Sequence, residues 1–461
     1  MRYDLLIKNG NVVLPKEVKK MDIGVKDGKV IELGESLEPD AARIVDAEGK
    51  TIFPGMIDVH VHFDEPGREQ WEGFETGSSM LAAGGCTTFF DMPLNGIPST
   101  VNQTAFDEKK RIGESKSHVD FALWGGLVPD NADDLEDLAS SGVIGFKAFL
   151  SPSGNPEFES VDDHSLLVGM RKIAALGGIL ALHSESAPIV TFLQQEKEAA
   201  GKNSFDDYAE SRPPLAEMEA VSRALMFGEL TGCRLHFVHI STIGAVNLIQ
   251  NAKKKGQDVT LETCPHYLLY SHDDFCRLGV VAKCAPPLRS ETERYGLVDK
   301  LIHDEIDMVS SDHSPCEWKD KEKDDIFKAW GGISGGQFSL LSVIEVALAH
   351  RLPLSKVAEW TAKHPAERFG LAPQKGEIRQ GADADFAIVD LKKPMTVEVN
   401  DLYQKNKFTL YEGHTFPSTV SMTINRGNVV YSEETKINTA AKGRWLRPAA
   451  NRGTKPTGAQ L

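Results

Sequence analysis

The sequence contains no run of eighteen consecutive apolar residues, so a membrane-spanning helix is not expected. Its opening stretch, MRYDLLIKNGNVV, has no apolar core of signal-peptide length, because Asp4, Lys8 and Asn9 interrupt it. Paired cysteines are missing as well. The six cysteines (86, 233, 264, 276, 284 and 316) form neither a CxxC motif nor a framework spacing. Several sit in apolar strand-like stretches, where a free thiol behaves as a small hydrophobe. A reduced, cytoplasmic protein is the simplest expectation. Positive charge is in deficit: 51 Lys+Arg face 67 Asp+Glu, a formal net charge of −16. Such a surface repels phosphate backbones and anionic lipid, so neither nucleic acid nor a membrane is expected as a partner.

What is present suffices for a large core: 461 residues, 41% of them hydrophobic. The first fifty residues read as short strands joined by glycine-containing turns, with Asn9-Gly10 and Asp27-Gly28 as hairpin signals. The same texture returns in GADADFAIVDL (381–391) and VSMTINRGNVVYS (420–432). Two strand-rich ends around a long middle predict one small β-sandwich domain assembled from residues 1–53 and 374–435. The middle, 54–373, carries strand-like runs at 57–63, 86–92, 120–127, 143–150, 178–184, 234–241, 258–264 and 307–313. Helix-compatible segments such as EMEAVSRALMFGEL and TIGAVNLIQNAKKK lie between most of them. Eight strands separated by helices is the count for a closed TIM-like (β/α)8 barrel. An open doubly wound sheet is the alternative, but no glycine-rich phosphate turn follows the first strand. The segment 436–461, basic and rich in Gly and Pro, is expected to form an extended arm ending in disorder.

The sharpest local feature is Asp58-Val59-His60-Val61-His62, at the end of the first barrel-strand candidate. Strand side chains alternate, so His60 and His62 project to one side, and at this end of a barrel strand that side faces the mouth. Alone, the pair also reads as two satisfied polar residues. Recurrence changes the balance, because His183 ends the fifth candidate strand, His239 the sixth and Asp312 the eighth. Four imidazoles and a carboxylate converging on one mouth suit a borderline metal such as zinc. Lys147, in VIGFKAFL, is the odd member. Burial favours its neutral amine, which can add carbon dioxide to give a carbamate able to bridge two cations. Spacing also allows a lysine that snorkels from the strand end.

This set resembles the amidohydrolase superfamily, in its branch acting on cyclic amides, and the resemblance extends over nearly the whole chain. It implies two divalent ions per chain, with zinc the default and cobalt, manganese or iron open. By the same resemblance His60, His62 and Asp312 hold the more buried ion, His183 and His239 hold the second, and a carboxylated Lys147 bridges both. Asp312 would take a proton from the attacking water and pass it to the leaving nitrogen. A homotetramer is what the family suggests.

Three stretches bear on which ring is opened. Dihydroorotate-acting relatives typically place an arginine two residues after the second histidine, where this chain has Asp64. A carboxylate there is expected to repel a substrate carboxylate. Dihydropyrimidine- and hydantoin-acting relatives carry a tyrosine shortly after the bridging lysine, and KAFLSPSG (147–154) has none. The stretches SSDHSPC (310–316), KCAPPLR (283–289), MPLN (92–95) and AWGGISGGQ (329–337) are similar to those of the allantoin-hydrolysing group, except that Gly336 stands where leucine is expected. The expected substrate is therefore allantoin, an uncharged cyclic ureide, opened to allantoate. Asn95, Ala285, Ser314 and Gly332 are the candidate contacts to it. A broader hydantoinase-like amidase is the alternative within enzymes, and a non-catalytic scaffold of the same fold, or a barrel with one structural metal, the alternative outside them.

Overall fold

The computed structural model describes residues 1–448. Eight short runs of apolar residues form the barrel: β1 (Met56–Val61), β2 (Cys86–Asp91), β3 (Asp120–Leu123, continued by Gly125–Gly126), β4 (Phe146–Phe149), β5 (Ile179–His183), β6 (Arg234–Phe237), β7 (Val259–Thr263) and β8 (Met308–Val309). Each pairs in parallel with the next. The ring closes through a parallel bridge between Val61 and His313, where the His62 N–H donates to the His313 carbonyl at 2.8 Å. Asp58 adds a stitch, its Oδ1 accepting the Ser311 N–H at 3.1 Å. Every residue of β1 and β2 is buried, as expected of strands covered on both faces. The chain is thus a closed barrel, and the open-sheet alternative fails.

Helices return the chain between strands where apolar spacing and capping agree. Pro214–Thr231 buries Ala220, Val221, Ala224, Leu225 and Gly228, three and four residues apart, and stops at Gly232 in the left-handed region (φ 70°). Ile243–Lys254 begins where the Thr242 side chain accepts the Ala245 N–H. Among the described residues no helix is long and apolar enough to cross a membrane.

Both chain ends contribute to one nine-stranded sheet. They meet where Thr51–Pro54 pairs antiparallel with Phe386–Asp390, Ile52 opposite Ile388. Asp27-Gly28 makes the expected hairpin turn, with φ of 51° and 74°. Asn9-Gly10 does not. Both lie inside one strand, Tyr3–Val13, whose register with its neighbour slips between Ile7 and Gly10. Strand pairing on both sides absorbs the left-handed Asn9 (φ 63°) as a bulge, and the Asn9 N–H donates to Asp22 Oδ1 at 2.8 Å. Lys436–Ile437, expected in the arm, pairs instead as an edge strand of the sheet with Asn428–Ser432, and 438–448 run on as an arm docked on the barrel. The Gly443 N–H donates to the Ser117 carbonyl (2.8 Å), the Leu446 N–H to the Phe121 carbonyl (2.7 Å), and Trp445 meets Phe106 at 6.0 Å. The disorder expected at the end of this arm concerns 449–461, which lie outside the described residues.

A buried ionic cluster fastens the sheet to the barrel. Lys375 Nζ lies 2.8 Å from Asp120 on β3, 2.5 Å from Asp385 and 3.3 Å from Asp383, while Arg426 Nε holds Asp120 at 3.0 Å. Burial alone would lower the Lys375 ammonium, but the three carboxylates outweigh it and hold its pKa above the ordinary value. Removing one partner of such a cluster leaves buried charge uncompensated. Lys375→Met should therefore destabilise the fold by about 3–5 kcal/mol, read as a lower denaturation midpoint in urea with an unchanged slope.

Candidate active site at the barrel mouth

Five of the six residues singled out from the sequence stand at or just beyond the C-terminal ends of β1, β5, β6 and β8, and Lys147 stands within β4; all are buried. His60 Nε2 and His62 Nε2 lie 3.2 and 3.3 Å from the same oxygen, Asp312 Oδ1. The His239 ring is 5.4 Å from His60 and 4.6 Å from His183, centroid to centroid. Phe149 stacks on His183 at 4.5 Å and lies 5.1 Å from Lys147 Nζ. His239 and Asp312 hold left-handed backbone, with φ of 40° and 46°, and so does Asn95 nearby at 73°. Such conformations cost roughly 1–3 kcal/mol each for non-glycine residues and cluster where function demands a direction.

Burial sets the protonation of the group. It lowers His60 to about 4, lowers His183, and holds His239 well below the ordinary range, so these imidazoles are neutral with a lone pair to offer. It also lowers the Lys147 amine to about 8, against the pull of Asp312 and Glu262. Burial would raise Asp312, but the imidazoles of His60, His62 and His239 outweigh it and hold the carboxyl well below the usual range.

Two carboxylates behind the imidazoles were not found from the sequence. Glu262 on β7 lies 2.6 Å from His60 Nδ1 and 3.1 Å from His236 Nε2. Glu185 lies 2.9 Å from His183 Nε2 and accepts Arg212 at 2.5 Å. Each ties up one ring nitrogen and so turns the other toward the mouth. The signal was there in LETC and HSES, where an acid sits at strand-face spacing, but its partners are up to 202 residues away.

The donors fit divalent metal ions. His60 Nε2, His62 Nε2 and the Asp312 carboxylate lie within 4.8 Å of one another. Lys147 Nζ and His239 Nδ1 are buried with no hydrogen-bond partner, a costly state unless another group engages them. Residues 51–430 match the family model described as the amidohydrolase family. The chain belongs to the amidohydrolase family, in its allantoinase group. It is 52% identical over 449 residues to an allantoinase of Bacillus velezensis, covering 97% of this chain and 98% of that one. An allantoinase of Deinococcus radiodurans is 46% identical over 97% of this chain and 99% of its own. Among solved structures, the L-hydantoinase (dihydropyrimidinase) of Arthrobacter aurescens superposes with a TM-score of 0.93 at 34% identity, over 96% of this chain and all of that one. A D-hydantoinase follows at 0.90 and 30%, over 97% and 99%.

In this amidohydrolase the mouth opens into a cavity of about 420 Å³, lined among others by His60, His62, His183, His239, Asp312, Asn95, Ala285 and Ser314. Gly332, expected to contact substrate, does not line it; Gly331 does. A Cβ on Gly332 would collide with Ser314, and its carbonyl is turned to Lys321 instead. Asp64 does not line the cavity either. It is buried, and desolvation and Asp91 push its carboxyl well above the usual range, so the repulsion expected of it does not operate. Only the absence of an arginine at position 64 then counts against a substrate carboxylate.

Lys321 is a further residue that sequence reasoning missed. Its buried Nζ donates to the carbonyls of Lys283 (3.0 Å), Trp330 (3.0 Å) and Gly332 (2.6 Å). These carbonyls belong to the two loops, KCAPPLR and AWGGIS, that carry Ala285 and Gly331 to the cavity wall. Lys321→Met should leave three buried carbonyls unsatisfied and loosen that wall. The expected loss is about 2 kcal/mol, roughly 30-fold in kcat/KM and mainly through KM, with bound metal unchanged by elemental analysis.

Proposed function

We propose that this chain hydrolyses the cyclic amide bond of allantoin to give allantoate, with two divalent ions bound at the barrel mouth. The observation that carries the reading is the convergence of four imidazoles and a carboxylate on one cavity, with the unpaired buried amine of Lys147 among them. Its likeness over almost its whole length to proteins named allantoinase supports the choice of ring. His60, His62 and Asp312 would hold one ion and His183 and His239 the other. Lys147, carboxylated by carbon dioxide, would hold both. Zinc is the default for this donor set, with cobalt, manganese or iron as alternatives.

When bound, such ions lower the pKa of a water and polarise the amide carbonyl. The chain's own part is to aim and to move protons. Glu262 and Glu185 keep His60 Nε2 and His183 Nδ1 turned inward. Asp312 presents Oδ1 to His60 and His62, which leaves Oδ2 to accept the proton of the attacking water and deliver it to the leaving ring nitrogen. The cavity wall around Asn95, Ala285, Ser314 and Gly331 offers backbone and side-chain polar groups to a small uncharged ureide. We further infer a cytoplasmic homotetramer, drawn from the family and from the reduced cysteines.

The fold likeness to hydantoinases favours a second reading, a hydantoinase-like amidase of broader range. Rates measured in parallel on allantoin, 5-substituted hydantoins, dihydrouracil and dihydroorotate should be highest on allantoin; a preference for dihydrouracil would sink the first reading. Lys147→Ala should lose both bound ions and turnover. Metal-free protein should regain ions poorly when carbon dioxide and bicarbonate are stripped from the buffer. Full turnover and metal content in Lys147→Ala would remove the bridging role.

A further inference from the structure

Outside the barrel mouth, one other cluster brings soft and borderline metal donors together. Asp206 lies on the helix Phe205–Ser211, and His272 and Cys276 lie four apart on the helix His272–Leu278, hence on one face of it. His272 Nε2 is 2.7 Å from Asp206 Oδ1, Cys276 Sγ is 3.5 Å from His272 Nε2, and Cys276 Sγ is 3.8 Å from Asp206 Oδ1. None of the three lines the barrel-mouth cavity. Cys276 is also the one exposed thiol of the six.

We propose that Asp206, His272 and Cys276 form a second cation site, for a borderline-soft divalent metal of the zinc class, bridging these two helices. Bond lengths support it. With ~2.0 Å Zn–N and Zn–O bonds and ~2.3 Å Zn–S bonds, a tetrahedral ion has N···S and O···S edges of about 3.5 Å and an N···O edge of about 3.3 Å. The two sulfur edges are already close to that. The Asp206–His272 edge must open by about 0.6 Å, which the exposed Asp206 side chain is free to do. The frame behind the donors is fixed: Phe275 packs on Phe205 at 5.0 Å and Tyr208 at 6.1 Å, and the His272 N–H donates to the Arg289 carbonyl at 2.7 Å. His272 Nδ1 has no partner and is free to carry the ring proton while Nε2 offers its lone pair.

Binding expels one proton, from the Cys276 thiol to solvent; water fills the fourth position. Burial and the Asp206 carboxylate push that thiol up, so it stays protonated until a cation displaces the proton. Without a metal, the same geometry is a hydrogen-bonded link between two helices. The two cases separate spectroscopically, because the barrel-mouth donors include no thiolate. Cobalt(II) titrated into enzyme holding two equivalents of zinc per chain, enough for the barrel mouth alone, should give a saturable near-ultraviolet thiolate-to-cobalt band at one equivalent per chain. The band should vanish in Cys276→Ser and weaken in His272→Ala, with barrel-mouth metal content unchanged in both variants. No band, a band that survives Cys276→Ser, or one indifferent to His272→Ala would overturn the site.

Discussion

The carboxylate of Glu262, shielded from solvent, sits between His60 Nδ1 at 2.6 Å and His236 Nε2 at 3.1 Å. Withdrawing a carboxylate from water costs several kcal/mol unless hydrogen bonds compensate. Its position is therefore fixed by the imidazoles, and theirs by it. Burial would raise Glu262, yet His60 and His236 hold it at about 2, so it remains an acceptor throughout the neutral range. His60 is left with Nε2 aimed at Asp312, and the remaining mouth residues are arranged around that direction. Glu185 repeats the device for His183, with Arg212 as the balancing charge. The mouth is thus two-layered: nitrogen donors inside, hydrogen-bonded carboxylates behind them.

That layering requires a closed barrel. Asp58 Oδ1 accepts from Ser311 on the eighth-strand side, and His62 donates to the His313 carbonyl, so the same short stretch both closes the ring and presents two of the imidazoles. His239 and Asp312, just past the ends of β6 and β8, hold left-handed backbone. Each would relax in a free loop; packing between neighbouring strands and the networks behind them sustains it. Glu217 illustrates the support, accepting both the N–H and the hydroxyl of Ser241 at 2.9 Å just past His239.

The cavity wall depends on a different kind of buried charge. Lys321 has no carboxylate within ion-pair distance among the described residues; it is surrounded by backbone carbonyls, and burial lowers it to about 8. Lys283 beside it lies 4.5 Å above the Tyr208 ring and donates to the Ala329 carbonyl. Two amines therefore organise the loops that shape the substrate pocket, although the chain as a whole carries a net charge of −16. Local wiring, not overall charge, sets the polarity of this site.

By itself the sequence determined the repeating strand–helix pattern, because burial on both faces demands continuous apolar runs and return helices demand 3.6-residue spacing. It also pointed to the histidines and Asp312, since alternate side chains at the C-terminal end of a barrel strand face the mouth. Only the tertiary structure decided the rest. Asn9-Gly10 became a bulge because neighbouring strands flank it on both sides. Gly332 turned its carbonyl to Lys321, and Asp64 was buried beside Asp91, because loop direction depends on what the loop packs against. Glu262, Glu185 and Lys321 acquired meaning from partners on distant segments, a pairing that no local pattern encodes.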